Sequence, residues 1–88
     1  MKIKEGYVIR KVMGNHVVIA TGEASKKFHG MVKLNDTAAE IWGYVSDGKS
    51  VDEVVSCMLE KYEVDEKQLR RDVEKTIKSL KEQGFIEE

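Results

Sequence analysis

The residues best suited to metal or nucleophilic chemistry are few in this chain and lie far apart. It contains two histidines, His16 and His29, and one cysteine, Cys57. A zinc site needs three or four ligands at defined spacing, and these residues supply no such pattern. A nucleophilic cysteine needs a neighbouring base and a setting that stabilises the thiolate, and the sequence around Cys57 indicates neither. We therefore predict no metal site and interpret Cys57 as a small, half-buried core residue.

Carboxylates are plentiful, but their positions do not suggest a catalytic pair. The acidic residues of the C-terminal half fall at helix caps and on solvated helix faces, where structural roles account for them. The sequence also contains no GxGxxG motif and no phosphate-binding P-loop. We therefore predict that the chain has no catalytic residues and binds no cofactor.

Length and charge narrow the class of protein. The 88 residues predict a single domain over residues 1–88, with one core and little volume for a large substrate pocket. The 15 basic and 16 acidic side chains give a net charge of −1, whereas a dedicated nucleic-acid binder of this size is usually clearly basic. A single cysteine, with no apolar run long enough for a signal peptide or a membrane span, leads us to expect a cytoplasmic protein.

The first third of the chain has the composition of β-strands. Residues 6–13 and 16–21 are rich in β-forming residues and are separated by Gly14-Asn15, which predicts a hairpin. The polar stretch 22–30, bounded by glycines, predicts a loop. Residues 31–34 then predict a short third strand.

Capping signals and apolar periodicity predict three helices in the rest of the chain. Asn35 is a suitable N-cap for the first, Ser50 and Glu53 form a capping box for the second, and Asp65 begins the third. Gly84 stands where a left-handed C-terminal glycine belongs. The fold class is therefore α+β: a three-stranded antiparallel sheet followed by three helices, in a winged helix-turn-helix-like arrangement.

The third predicted helix mixes basic and acidic residues, and its simplest interpretation is a solvated face with ion pairs. At about 100° per residue its apolar residues occupy one narrow sector: Leu69, Val73, Ile77 and Leu80. One border of that sector carries Arg70, Glu74 and Lys81, and the other carries Asp72, Thr76, Ser79 and Gln83. Both borders are candidates for lining a groove beside the sheet.

The third strand suggests a binding mechanism that needs no catalytic residue. It is short and last in its sheet, so one of its edges is expected to be unpaired. Free backbone N–H and C=O groups on such an edge can accept a strand from another molecule. A proline at Val32 is then expected to weaken the binding of that strand.

The ordered motif residues resemble those of a known family. The sequence is similar to the PqqD family of small peptide chaperones, also called RiPP recognition elements. The matching residues are GEASKKFHGMVKLNDTAAEIW at residues 22–42, Asp47-Gly48, residues 51–62, Val64-Asp65, Val73, Leu80 and Gly84-Phe85-Ile86. The similarity runs through nearly the whole chain. Its most specific part is Leu34-Asn35 with Ala38, Ile41 and Trp42.

The resemblance implies both a fold and a function. It implies three antiparallel strands and three helices, and it implies binding of the leader segment of a ribosomally made precursor peptide. By this resemblance, the leader is expected to add as a strand to the third strand, against the third helix. It is then expected to be presented to a modifying enzyme, in this family often a radical S-adenosylmethionine enzyme. We expect prolines in the N-terminal portion of many members, whereas this chain has none, so the pathway served stays open.

We therefore predict a non-catalytic peptide-binding protein, either a monomer or a homodimer. The predicted peptide-binding residues are Met31, Val32, Lys33, Leu34, Arg70, Arg71, Glu74 and Thr76. Arg70 and Arg71 are expected to attract an acidic leader. The alternatives are a winged-helix DNA-binding transcription regulator with the third helix in the major groove, a small enzyme, and a purely structural subunit of a larger synthase.

Overall fold

The order of elements along the chain follows the predicted one, with additions at both ends and in the predicted loop. The computed structural model describes residues 1–26 and 30–87. Its elements are β1 (Lys2–Ile3), β2 (Tyr7–Val12), β3 (Asn15–Ala20), β4 (Val32–Leu34), α1 (Asp36–Ser46), α2 (Val51–Lys61), α3 (Glu66–Glu82) and β5 (Ile86–Glu87). The predicted loop begins instead with a short 3-10 helix, Gly22–Lys26, and residues 27–29 lie outside the described residues.

The central sheet has the strand order β2-β3-β4 and is antiparallel throughout. The predicted hairpin is confirmed, but its turn is Met13-Gly14 rather than Gly14-Asn15. Met13 and Gly14 have φ angles of 51° and 81°, the two positive values that a type I′ turn requires. The observed register places Ile9 opposite the fully buried Val18. The predicted turn at Gly14-Asn15 would instead place Lys11 opposite Val18. The burial of Val18 in the core therefore sets the register of the hairpin.

The two ends of the chain form a second, two-stranded sheet that was not predicted. β1 and β5 are antiparallel, with Ile3 opposite Ile86. Strands of two residues are too short to show an alternating pattern in the sequence. The predicted return of Phe85 and Ile86 to the core is confirmed, since their relative exposures are 0% and 6%.

The predicted caps begin all three helices. Asn35, Ser50 and Asp65 each accept a hydrogen bond from a first-turn backbone N–H, at distances of 2.8, 3.2 and 3.0 Å. Glu53 completes the capping box of α2 by accepting the Ser50 N–H at 3.0 Å. Each cap satisfies a donor that has no partner within its own helix.

The C-terminus of α3 is closed by a Schellman motif. Gly84 has φ 86°, and the N–H of Phe85 donates to the carbonyl oxygen of Leu80 at 3.0 Å. This turn directs the Phe85 ring into the core, where ring centroids of Tyr7 and Trp42 lie 5.1 and 5.7 Å away. The end of α3 is therefore held against both the sheet and α1.

The core contains residues from the central sheet, all three helices and the C-terminal segment. Its buried members are Val18, Ile41, Trp42, Val45, Val54, Val55, Met58, Leu69, Val73, Ile77, Leu80, Phe85 and Ile86. The α+β fold class is confirmed, and Cys57 is half-buried on α2 as predicted. Among the described residues, no helix has both the length and the apolar character needed to cross a lipid bilayer.

One carboxylate joins the end of α2 to α1. Glu40 accepts hydrogen bonds from the hydroxyls of Tyr44 and Tyr62, at 2.9 and 2.6 Å, and from Lys61 Nζ at 3.1 Å. Partial burial raises the pKa of Glu40, but the hydrogen bonds from Tyr62, Tyr44 and Lys61 outweigh it and hold that pKa below its usual 4.5. The ionised carboxylate is therefore the form that the fold stabilises.

We expect Asn35→Ala to lower the free energy of unfolding by about 1 kcal/mol, because it removes the oxygen that accepts the Ala38 N–H at the start of α1. Asn35→Asp is the matched control, since it keeps an acceptor at the same place. Urea unfolding of the three proteins measures the difference. No loss in Asn35→Ala would show that the cap contributes nothing, and equal losses in both variants would show that the effect does not come from the lost acceptor.

Replacing Glu40, the carboxylate that joins α2 to α1, should change how the free energy of unfolding depends on pH. Because the pKa of Glu40 is lower in the folded state, its contribution is present above about pH 4.5 and disappears as the pH falls through the lowered value. Glu40→Gln should therefore be less stable than the original chain at pH 7, with a gap that narrows below pH 4.5. Thermal unfolding at several pH values tests this, and a gap that stays constant down to pH 3 would contradict it.

Candidate functional site

The outer edge of β4 is open in the part of the chain that the structure describes. β4 pairs with β3 on one side, with Val18 opposite Val32 and Val17 opposite Lys33, and with no strand on the other. Val32 and Leu34 are half-buried against the core, while Lys33 between them is exposed. The edge strand predicted from the sequence is therefore present.

The register shows which backbone groups point out of the sheet. In an antiparallel pair, residues that exchange hydrogen bonds alternate with residues that do not. The N–H of Thr21 donates to the carbonyl oxygen of Gly6 at 2.6 Å. Every second residue of β3 from Thr21 back, including Val17, therefore bonds to β2, whereas His16 and Val18 bond to β4. Val32 and Leu34 then bond to β3, and Lys33 directs its N–H and C=O outward. The position for a disruptive proline is thus Lys33 rather than Val32, whose N–H belongs to the protein's own sheet.

A groove of about 370 Å³ separates this edge from α3. Its apolar part comes from Val32, Leu34, Ala38 and Leu80, and its polar part from Lys33, Asn35, Lys75, Thr76, Ser79 and Gln83. Two walls of regular structure with an apolar base match the geometry needed to hold an extended peptide.

The buried residues of α3 decide which of its borders faces β4. Leu69, Val73, Ile77 and Leu80 point into the core, which fixes the rotation of the helix. The border with Thr76, Ser79 and Gln83 then faces β4. The opposite border, with Arg70, Glu74 and Lys81, faces the start of α2.

The groove is positively charged. Lys33 on the strand and Lys75 on the helix line it, and no carboxylate does. Neither lysine has an acidic partner among the described residues, and both are exposed. A bound segment with acidic side chains would therefore be attracted from both walls.

The predicted site residues divide into two groups. Val32, Lys33, Leu34 and Thr76 line the groove. Met31 immediately precedes β4 and is 66% exposed, but it is not among the lining residues.

The other three predicted residues lie away from the groove. Arg70 and Glu74 line the α2 side of α3, where Arg70 Nη1 donates to Asp52 Oδ1 at 2.7 Å. That hydrogen bond raises the pKa of Arg70. Arg71 is exposed and lines neither surface.

Six lining residues are absent from the predicted peptide-binding set: Asn35, Ala38, Lys75, Ser79, Leu80 and Gln83. Of these, Ser79 and Gln83 were placed only on one of two possible borders, and the other four were not proposed for the groove at all. Ala38 looked like one more apolar residue of α1, and Lys75 like one cation of a mixed helix face. Lys75 follows from the rotation of α3, because Ser79, four residues later, lies about 40° from it on the wheel. Ala38 has no such signal, since its role depends on how closely α1 approaches the strand.

The one carboxylate–tyrosine cluster among the described residues is poorly suited to acid–base catalysis. A general acid or base works best when its pKa lies near the working pH. Hydrogen bonds lower the pKa of Glu40, whereas the pKa of Tyr62 is raised by its hydrogen bond to Glu40 and that of Tyr44 chiefly by burial. All three values therefore move away from neutrality. The described residues also contain no group of three or more potential metal ligands.

Comparison with known proteins gives one family match and two similar solved structures. The family model for coenzyme PQQ synthesis protein D (PqqD) matches residues 15–86. A structure described as TbiB1 in complex with the TbiA(beta) leader peptide has 21% identity and a TM-score of 0.76, over 99% of this chain and 100% of that one. Lasso peptide synthetase B1 complexed with the leader peptide has 26% identity and a TM-score of 0.76, over 96% of this chain and 93% of the other. No curated protein matches the chain significantly.

Proposed function

Since the chain belongs to the PqqD family, we propose that it captures the leader segment of a ribosomally made precursor peptide by strand addition. The observation that carries this proposal is the outward-facing backbone of Lys33, which borders a groove closed on its far side by α3. The two similar solved structures support it, because both are described as complexes with a leader peptide. They do not support the DNA-binding alternative.

Backbone pairing supplies the first part of the binding energy. A guest strand beside β4 can exchange hydrogen bonds with the N–H and C=O of Lys33, each contributing about 0.5–1.5 kcal/mol net. Residues beyond β4 extend the pairing only if the chain around Met31 becomes extended on binding. Backbone bonds alone therefore give weak and unselective affinity.

Burial of apolar side chains in the groove supplies the second part. Val32 and Leu34 on the strand, with Ala38 on α1, present half-buried apolar side chains to a guest, whereas Leu80 is only 2% exposed and adds little surface. Each Å² of apolar surface removed from water contributes roughly 25 cal/mol. This term favours leaders with apolar residues at alternate positions, because alternate side chains of a strand face the same way.

We propose that the protein does not modify the leader itself but presents it to a separate peptide-modifying enzyme. A radical S-adenosylmethionine enzyme is one candidate partner, and another modifying enzyme is an equal one. Strand addition suits this role, since it holds the leader by its backbone near one end of the sheet. The rest of the precursor stays free to enter another active site.

Lys33→Pro should weaken leader binding by about tenfold or more, while Lys33→Ala largely retains it. Proline removes the outward N–H and alanine keeps it, and an edge strand tolerates a proline whose missing N–H faced solvent. The measurement is a titration with the cognate leader peptide followed by backbone amide NMR. The original chain and Lys33→Ala should show shifts clustered at residues 32–34 and 75–83. Shifts confined to the β2–β3 hairpin, or equal affinity of the two variants, would refute strand addition at β4.

A bulky side chain should block binding only from the groove side of α3. Ser79→Tyr places a ring in the groove, whereas Glu74→Tyr places the same ring on the α2 side. Both positions are exposed, so the fold should tolerate either change. We expect a loss of affinity of about tenfold or more for the first variant, about 1.4 kcal/mol, and little change for the second. Calorimetric titration measures both, and a larger loss in Glu74→Tyr would show that the leader uses the other border.

A further inference from the structure

The alternation of β4 determines which guest side chain meets Lys33. Side chains directly opposite each other on neighbouring strands lie on the same face of a sheet. The Lys33 side chain points away from the core face, to which Val32 and Leu34 point. A guest residue opposite Lys33 must therefore also point away from the core, whichever direction the guest strand runs.

The two neighbours of that guest residue point the opposite way. They face the base of the groove, where the half-buried side chains of Val32, Leu34 and Ala38 supply apolar surface. A polar side chain at either position would lose water against this apolar surface, and the one charged side chain that α3 contributes to the groove lining is Lys75. Apolar side chains are therefore favoured on both sides of the residue opposite Lys33.

The charges of the outer sheet face favour an acidic residue opposite Lys33. The register places Arg10, Val17 and Lys33 in one row across the sheet, with both cations exposed. A guest strand extends this row by one residue, next to the lysine. Lys75 adds a further positive charge from the other wall of the groove.

We propose that Lys33 makes the groove selective for a leader segment in which one acidic residue stands between two apolar residues. This inference rests on the proposed function, because it needs a guest strand at β4. It assigns the selection of acidic leaders to Lys33 and, at longer range, to Lys75. Arg70, which sequence analysis put forward for this role, is hydrogen-bonded to Asp52 on the far side of α3.

The size of the preference follows from the type of contact. An opposite-charge pair across neighbouring strands on an exposed face favours binding by about two- to fivefold over a neutral pair. A like-charge pair is unfavourable by a similar factor. Reversing the charge of residue 33 should therefore invert the preference at one position and leave the apolar requirement unchanged.

The test is a selection from a display library of peptides with seven randomised positions, on the immobilised full chain. Sequencing the bound pool should show Asp and Glu enriched over Lys and Arg between two apolar residues. Lys33→Glu should enrich Lys and Arg at that position instead. Lys78→Glu is the matched control, because it makes the same change of charge on the α2 side of α3.

The outcomes separate this inference from the proposed function. Peptides that lose binding to Ser79→Tyr occupy the groove, so the absence of any such peptide would overturn both. Groove peptides with no preference for charge at the central residue would overturn only the role of Lys33. An equal response to Lys33→Glu and Lys78→Glu would show a general charge effect and would also overturn it. Inversion by Lys33→Glu alone is the supporting result.

Discussion

The proposed strand addition depends above all on the unpaired backbone of Lys33. An N–H and a C=O that face outward from a sheet are useful only if the edge stays straight and stays open. The pairing of β3 with β4 keeps it straight, with Val32 and Leu34 anchored in the core. The rotation of α3 keeps it open, because its apolar residues are buried while its polar border stands across the groove.

The caps and turns at the ends of the helices maintain the spacing between β4 and α3. Asn35 follows β4 directly and caps α1, so the residue that begins the helix is also one that lines the groove. At the other end, Gly84 turns the chain so that Phe85 anchors the last turn of α3 in the core. The groove is therefore bounded by groups whose positions are set by hydrogen bonds and packing rather than by flexible loops.

How far the sequence predicts this arrangement depends on how far apart along the chain the interacting residues lie. The caps at Asn35 and Ser50 are contacts between residues three apart, and they were predictable from the sequence alone. The turn at Met13 was not, because the pairing of Ile9 with Val18 overrides the local preference for Asn15 in a turn. The groove border was undecided for a similar reason, since a helical wheel defines the faces of α3 but not which neighbour each face meets.

A lysine at the centre of the open edge also bears on self-association. Lys33 is the one residue of β4 whose backbone points outward, so two copies joined antiparallel through this edge would pair about it. Each Lys33 would then lie opposite its own counterpart, and like charges at that distance are unfavourable. A charged residue on an edge strand is a common protection against such pairing. The side chain proposed to favour an acidic guest thus also disfavours a second copy of the protein, which keeps the edge accessible to a peptide.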